Sequence, residues 1–161
     1  MRIQRGFTLV EMMAVVFIIA ILATMGFPAM NRMLSTQAVR SAAYDLFADL
    51  VYARSEAITR GTTVTIAGNS GNDYAQGWTI TESAGGTTLR TSAARSGKIA
   101  FTASQNAVTF DRSGRATNAA AVSWFITPSS DYDAHTIQDY QKRCVKLDPS
   151  GRPRSIEGVC S

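Results

Sequence analysis

Gly6-Phe7-Thr8-Leu9-Val10-Glu11 opens the stretch that decides the fold: beyond Glu11 an apolar run continues to Phe27, interrupted only by Thr24 and Gly26. A helix rises 1.5 Å per residue and needs about 20 mostly apolar residues to cross hydrocarbon, a length that residues 7–27 meet. A removable secretory signal has a shorter apolar region followed by a small-residue cleavage site, whereas here the small residue, Gly6, precedes the run. Arg2 and Arg5 hold the leader on the cytoplasmic side by the positive-inside rule, which places the chain beyond Pro28 outside.

Glu11 is the exception within this segment. An acidic side chain at the centre of a membrane helix costs roughly 2.5–3.5 kcal/mol, and less this near its end. Two readings stand side by side. The carboxylate snorkels to the headgroups, or it awaits a positive partner, such as the amine freed by a cut between Gly6 and Phe7. The hexapeptide, its basic leader and the membrane-length run in register resemble the class III signal of type IV pilins and type II secretion pseudopilins. That resemblance implies cleavage after Gly6 by a prepilin peptidase and N-methylation of Phe7. It also implies that Glu11 neutralises the Phe7 amine of a neighbouring subunit during assembly. The implied itinerary is single-pass in the inner membrane with a periplasmic domain, then a pilus at the cell surface, at its tip.

The chain has 161 residues, enough for one globular domain plus an appendage. Its net charge is +4 from sixteen Lys and Arg against twelve acids, and two of those arginines lie in the leader. Overall charge therefore says little about partners, and its placement matters more. Cys144 and Cys160 lie on the exported side, where an oxidising compartment favours a disulfide that stabilises by about 3 kcal/mol. A metal pair is the weaker alternative, because no His or second Cys pair lies nearby.

At Gly26 and Pro28 the helix is expected either to kink or to end, since proline lacks a donor and clashes with the preceding turn; the resemblance favours continuation. Helical period returns over residues 35–60. Val39, Ala42, Ala43, Leu46, Phe47, Leu50, Ala53 and Ala57 form a packing stripe, with Arg40, Asp45, Asp49, Arg54 and Glu56 mainly elsewhere. Gly61 follows as a C-terminal cap. The run Tyr52-Ala53-Arg54-Ser55-Glu56-Ala57 resembles a signature of the FimT, FimU and pseudopilin H group of minor pilins.

Beyond Gly61, short β-branched and aromatic runs alternate with Gly, Asn and Ser clusters, which reads as an antiparallel sheet. Strands are expected at 62–67, 77–82, 99–103, 107–111, 122–127 and 143–147, with a short one near Ser155, and no second helix is expected. The fold class is α+β. The expected parts are a leader at 1–6, a transmembrane and assembly helix at 7–27, an amphipathic continuation at 28–61 and a β-domain at 62–161.

Two segments repeat. Asp111-Arg112-Ser113-Gly114-Arg115 and Asp148-Pro149-Ser150-Gly151-Arg152 share D-x-S-G-R, whose Asp-first, Gly-fourth pattern suits a type I turn with a bulge. The second copy continues to Arg154, placing Arg152 and Arg154 on alternate residues inside the disulfide-closed loop. Lys142, Arg143 and Lys146 add to them, and guanidinium groups suit bidentate phosphate contacts. A solvated hairpin tip accounts for the same residues. Gly151-Arg152-Pro153-Arg154 resembles the G-R-x-R feature of FimT-type minor pilins, which implies sequence-independent DNA binding for uptake in natural transformation. The alternative is a FimU-like or pseudopilin H-like subunit that primes pilus or secretion-system assembly by contacts with other pilin subunits.

Catalysis is not expected. His135 has no Cys nucleophile nearby, and Asp131, Asp133 and Asp139 lack the Gly and terminal Glu of a calcium loop. No cofactor or metal is expected. Trp78, Trp124 and Phe125 fall in strand patterns that favour core packing over base stacking.

Overall fold

The computed structural model describes residues 8–95, 97–118, 120–129 and 137–160, without the side chains of residues 25–29. Gly6, Phe7, Asp131, Asp133 and His135 lie outside the described residues. The chain divides into two compact units, Met1–Leu34 and Ser35–Ser161. One helix, α1, Leu9–Arg60, contributes to both, and its assignment runs through Gly26 and Pro28 without a break.

In the first unit α1 starts with a reciprocal cap. The Thr8 amide donates to Glu11 Oε2 at 3.3 Å, and the Glu11 amide donates to Thr8 Oγ1 at 3.2 Å. This is a capping box, which satisfies two of the donors that a helix start leaves unpaired. Glu11 therefore has a local partner that neither reading of its charge required. Leu9, Met13, Phe17, Ile18 and Leu22 are all exposed, so apart from Glu11 residues 9–22 are apolar around the helix circumference. Among the described residues no helix is long and apolar enough to cross a membrane. The expected span, 7–27, extends past the described side chains at both ends.

In the second unit the stripe from Val39 to Ala57 packs on a sheet of eight antiparallel strands. The strands are β1 Val64–Ser70, β2 Asp73–Glu82, β3 Thr88–Ser92, β4 Ile99–Ala103, β5 Ala107–Phe110, β6 Val122–Pro128, β7 Arg143–Leu147 and β8 Pro153–Glu157. Their order is β5-β1-β2-β4-β6-β7-β8, with β3 paired to β2. Strict alternation of buried and part-exposed residues in β6 marks one face on the core and one outside. Ala42, Ala43, Ala53 and Ala57 are fully or almost fully buried, and their small side chains let the helix approach the sheet closely. Tyr74, Trp78, Phe101 and Trp124 fill the centre, with ring centroids 5.7 to 6.0 Å apart.

Four features depart from the sequence reading. β3 was not expected; its Thr-Leu-Arg-Thr-Ser alternates weakly and stays mostly exposed, so no apolar face announces it. Asp139–Gln141 forms a single 3-10 turn. Asp49, placed on the wet side by its charge, is only 6% exposed. It accepts from Trp78 Nε1 at 2.8 Å and from Arg90 Nη1 at 2.7 Å, while the Arg90 guanidinium lies 4.1 Å from the centre of the Tyr52 ring. The carboxylate is tolerated because both of its oxygens are paired. Phe47 and Phe125 are half-buried rather than core residues.

Burial pushes the Tyr74 phenol up from 10.0 to about 12, and its hydroxyl donates to the Asn106 carbonyl at 2.9 Å. The folded pKa lies above the unfolded one, so the neutral phenol's contribution to stability is complete below pH 10 and fades as pH rises towards 12. In Tyr74→Phe the alkaline fall in stability across this window is expected to be shallower, as measured by denaturant unfolding at stepped pH.

Candidate functional site

The two D-x-S-G-R segments fold alike. In the first, the Gly114 amide donates to the Asp111 carbonyl at 2.8 Å and the Asp111 amide to the Arg115 carbonyl at 2.9 Å. In the second, Gly151 donates to Asp148 at 2.8 Å and Asp148 to Arg152 at 3.2 Å. With Gly114 at φ +76° and Gly151 at φ +77°, each is a tight turn closed by a glycine bulge. The turn chemistry read from the sequence is present in both copies.

Side by side in space, the copies make one structure. A Cβ on Gly151 would lie 2.0 Å from the Gly114 carbonyl oxygen and 3.4 Å from the Arg115 Cα. The Ala116 amide donates to the Pro149 carbonyl at 3.2 Å. Beneath them the stem helix supplies Arg54, whose Nη1 donates to the Gly151 carbonyl at 2.9 Å, and Ile58, which sits where a Cβ on Gly114 would go. Neither the apposition nor the role of Arg54 was read from the sequence. The repeat itself was a signal, since both segments share the Asp and Gly that close the same kind of turn.

Their carboxylates differ in use. Asp111 Oδ1 accepts from the Ser113 amide, the Ser113 hydroxyl and the Arg115 amide at 2.8, 2.6 and 3.0 Å. The Ser113 hydroxyl is the main cause holding the Asp111 carboxyl below its usual range. In the second copy proline takes the place of Arg112, and Asp148 Oδ2 lies 3.6 Å from Arg154 Nε.

The six residues that the sequence singled out separate into groups. Gly151 is buried in the turn contact. Arg152 and Arg154 are exposed, the Arg154 side chain by 72%. Lys146 pairs across strands with Arg154 on one side and Ser123 on the other, so the three share the outer face of the sheet. Arg143 is on the opposite face, bound to Glu157 at 3.0 Å. There it lines a shallow groove with Arg40, Ala43, Tyr44, Phe47 and Ser155. Lys142 is bound to Asp139 at 2.9 Å. Among the described residues Lys146 and Arg152 have no acidic partner and Arg154 has only the 3.6 Å approach of Asp148, whereas Lys142 and Arg143 are committed to closer local partners. Cys144 and Cys160 form the expected disulfide, Cα atoms 5.3 Å apart, which ties the chain after β8 back to β7. Among the described residues no three His, Cys, Asp or Glu side chains converge as metal ligands.

A stem helix laid on one antiparallel sheet, behind an apolar and N-terminally capped segment, is the architecture of a pilin-type subunit. The sequence matches the family described as Type II transport protein GspH over residues 42–151, more than half the chain, and the Prokaryotic N-terminal methylation motif over residues 1–27. The protein belongs to the GspH family of minor pilins and pseudopilins, whose members are structural subunits rather than enzymes. Its fold is similar to that of the type IV minor pilin FimU of Pseudomonas aeruginosa in two crystal forms. In one, identity is 23%, coverage 72% of this chain and 86% of FimU, and the TM-score 0.60. In the other, the values are 24%, 73%, 91% and 0.59. The minor pseudopilin EpsH from the Type 2 Secretion System of Vibrio cholerae is similar at 12% identity, covering 74% of this chain and 96% of its own, with a TM-score of 0.55. No curated protein matches in sequence. Family membership and the methylation motif imply other pilins and a prepilin peptidase as partners, and an inner-membrane stage followed by a pilus.

Gly151→Ala is expected to lose roughly 3 kcal/mol or more, because a Cβ meets the Gly114 backbone and takes a left-handed φ. Gly71→Ala shares the sign of φ but has nothing within 4 Å. It is expected to lose about 1 kcal/mol. Thermal unfolding of the pair separates the contact from the strain.

Proposed function

We propose that the protein is a low-abundance structural subunit that helps prime a type IV pilus or a type II secretion pseudopilus. It joins the filament through its apolar N-terminal helix and displays the β-domain. The family match over residues 42–151 carries this reading, because it takes in most of the packed stem, strands β1 to β7, the first D-x-S-G-R turn and all but the last residue of the second. The apolar circumference of residues 9–22 supports membrane residence before assembly, with processing between Gly6 and Phe7. Glu11, whose carboxylate already caps the helix, is the residue that meets the free amine of a neighbour. Deleting the gene is expected to reduce piliation or secretion, and Glu11→Ala, tested by complementation, to leave cleaved subunits in the membrane and out of sheared filaments. Normal filament number and normal secretion in the deletion strain would remove this reading.

A second reading has its own support: Arg152 and Arg154 are exposed at a sheet edge tied by a disulfide, with Lys146 on the same face as Arg154. In it the subunit sits at a pilus tip and holds the DNA backbone during natural transformation. Such contacts carry no sequence information, and affinity is expected at about 10⁻⁴ to 10⁻⁶ M, falling steeply with salt. Arg152→Gln with Arg154→Gln is expected to weaken duplex binding about tenfold or more in mobility-shift assays while leaving thermal unfolding unchanged. An unaltered shift in the double variant overturns this assignment.

A further inference from the structure

The first D-x-S-G-R copy, which turn chemistry alone explains, also places two more arginines beside the second. Arg112 and Arg115 are exposed, as are Arg152 and Arg154. Among the described residues Arg112, Arg115 and Arg152 form no ion pair with an acid, and the carboxylate of Asp111 is occupied by the donors of its own turn. The copies are stacked along the end of α1, with Gly151 on Arg54, Gly114 on Arg54 and Ile58, and Arg112 beside Gly61, Thr62 and Thr63. From Arg54 to Gly61 a helical rise of 1.5 Å per residue spans roughly 10 Å, or about three nucleotide steps of 3.4 Å.

We propose that the paired turns form one phosphate-binding surface, in which Arg112 and Arg115 act with Arg152, Arg154 and Lys146 on the phosphodiester backbone of a nucleic acid. This rests on the second reading above and extends its site from one hairpin to two. Apart from the Arg143–Glu157 pair on the opposite face, the two hairpins carry five cations against two carboxylates. Among the described residues no large apolar side chain of either turn is exposed. A protein partner needs apolar or aromatic anchors at the centre of its interface, whereas a phosphate backbone needs only well-placed charge. The absence of aromatic side chains from both turns sets base stacking aside and leaves the backbone as the ligand. Because Arg54 and the two glycines already fix the turns, the arginines start from a held backbone and lose less entropy on binding.

The test is fluorescence anisotropy of a short mixed-sequence DNA duplex with the full-length protein in detergent micelles, across a salt series. Arg112→Gln with Arg115→Gln is expected to weaken binding several-fold to about tenfold and to lower the slope of log affinity against log salt by about two, as is Arg152→Gln with Arg154→Gln. Arg112→Lys with Arg115→Lys is expected to restore the slope, which a purely structural role for these arginines would not produce. If the Arg112 and Arg115 pair leaves slope and affinity unchanged while the Arg152 and Arg154 pair lowers both, the extension fails and the one-hairpin reading stands. If the wild type does not bind duplex at the lowest salt, both fail, and binding of an acidic pilin subunit by the same arginines would assign the surface to protein.

Discussion

The burial of one helical stripe, Val39 to Ala57, against one sheet is the constraint on which the second unit depends. Burying apolar surface is non-directional, so it holds the helix on the sheet without fixing its register along it. Two polar residues supply that register. Asp49 ties the stripe to β2 through Trp78 and to β3 through Arg90, and five residues on Arg54 ties it to the turn between β7 and β8. Shifting the helix along its axis would leave the Trp78 N–H and the Asp49 carboxylate buried without partners, a loss of about 1–3 kcal/mol for each such group.

The sequence was readable where a single physical rule dominated. The 3.6-residue period of the stripe, the alternation in β6 and the two D-x-S-G-R turns each follow from one rule, and each appears where its residues stand. It was opaque where a second element decided the outcome. Asp49 and Arg54 read as surface charges because helix periodicity cannot see the tryptophan and the carbonyl waiting opposite them. Among the described residues β3 pairs only with β2 and keeps most of its residues exposed, so packing left little imprint on its composition. Lys142 and Arg143 looked like Lys146 in a count of charges, yet Asp139 and Glu157 pair with the first two. Strand register, which sets the face of each side chain, separates Arg143 from Lys146, while the 3-10 turn brings Asp139 to Lys142; composition carries neither.

The repeated pentapeptide separates two jobs that a single loop usually combines. Its Asp and Gly build the turn, and its glycine also lets a second backbone approach, as Gly151 against Gly114 requires. Its arginines are exposed, and only the Arg115 backbone borders that contact. The copies differ where their surroundings differ: Asp111 has the Ser113 hydroxyl and faces only its own donors, whereas Asp148 is followed by Pro149, which gives its carbonyl to Ala116, and leans towards Arg154. One motif thus makes a self-contained turn and a turn coupled to the edge strand.

The same separation explains why net charge was a poor guide. Without Arg2 and Arg5 the chain is close to balanced, with fourteen basic residues against twelve acids. At physiological salt a charge is felt over about 8 Å, so a ligand responds to the few groups within that distance rather than to the total. Arg60 is held by Glu56 and Glu82, Arg90 by Asp49 and Arg95 by Asp45, and each pair cancels locally. At the twin turns one carboxylate is turned into its own backbone and the other is 3.6 Å from a single arginine, so the local balance remains positive. A nearly neutral domain thereby presents a basic end, set there by the same two glycines and Arg54 that bring the turns together.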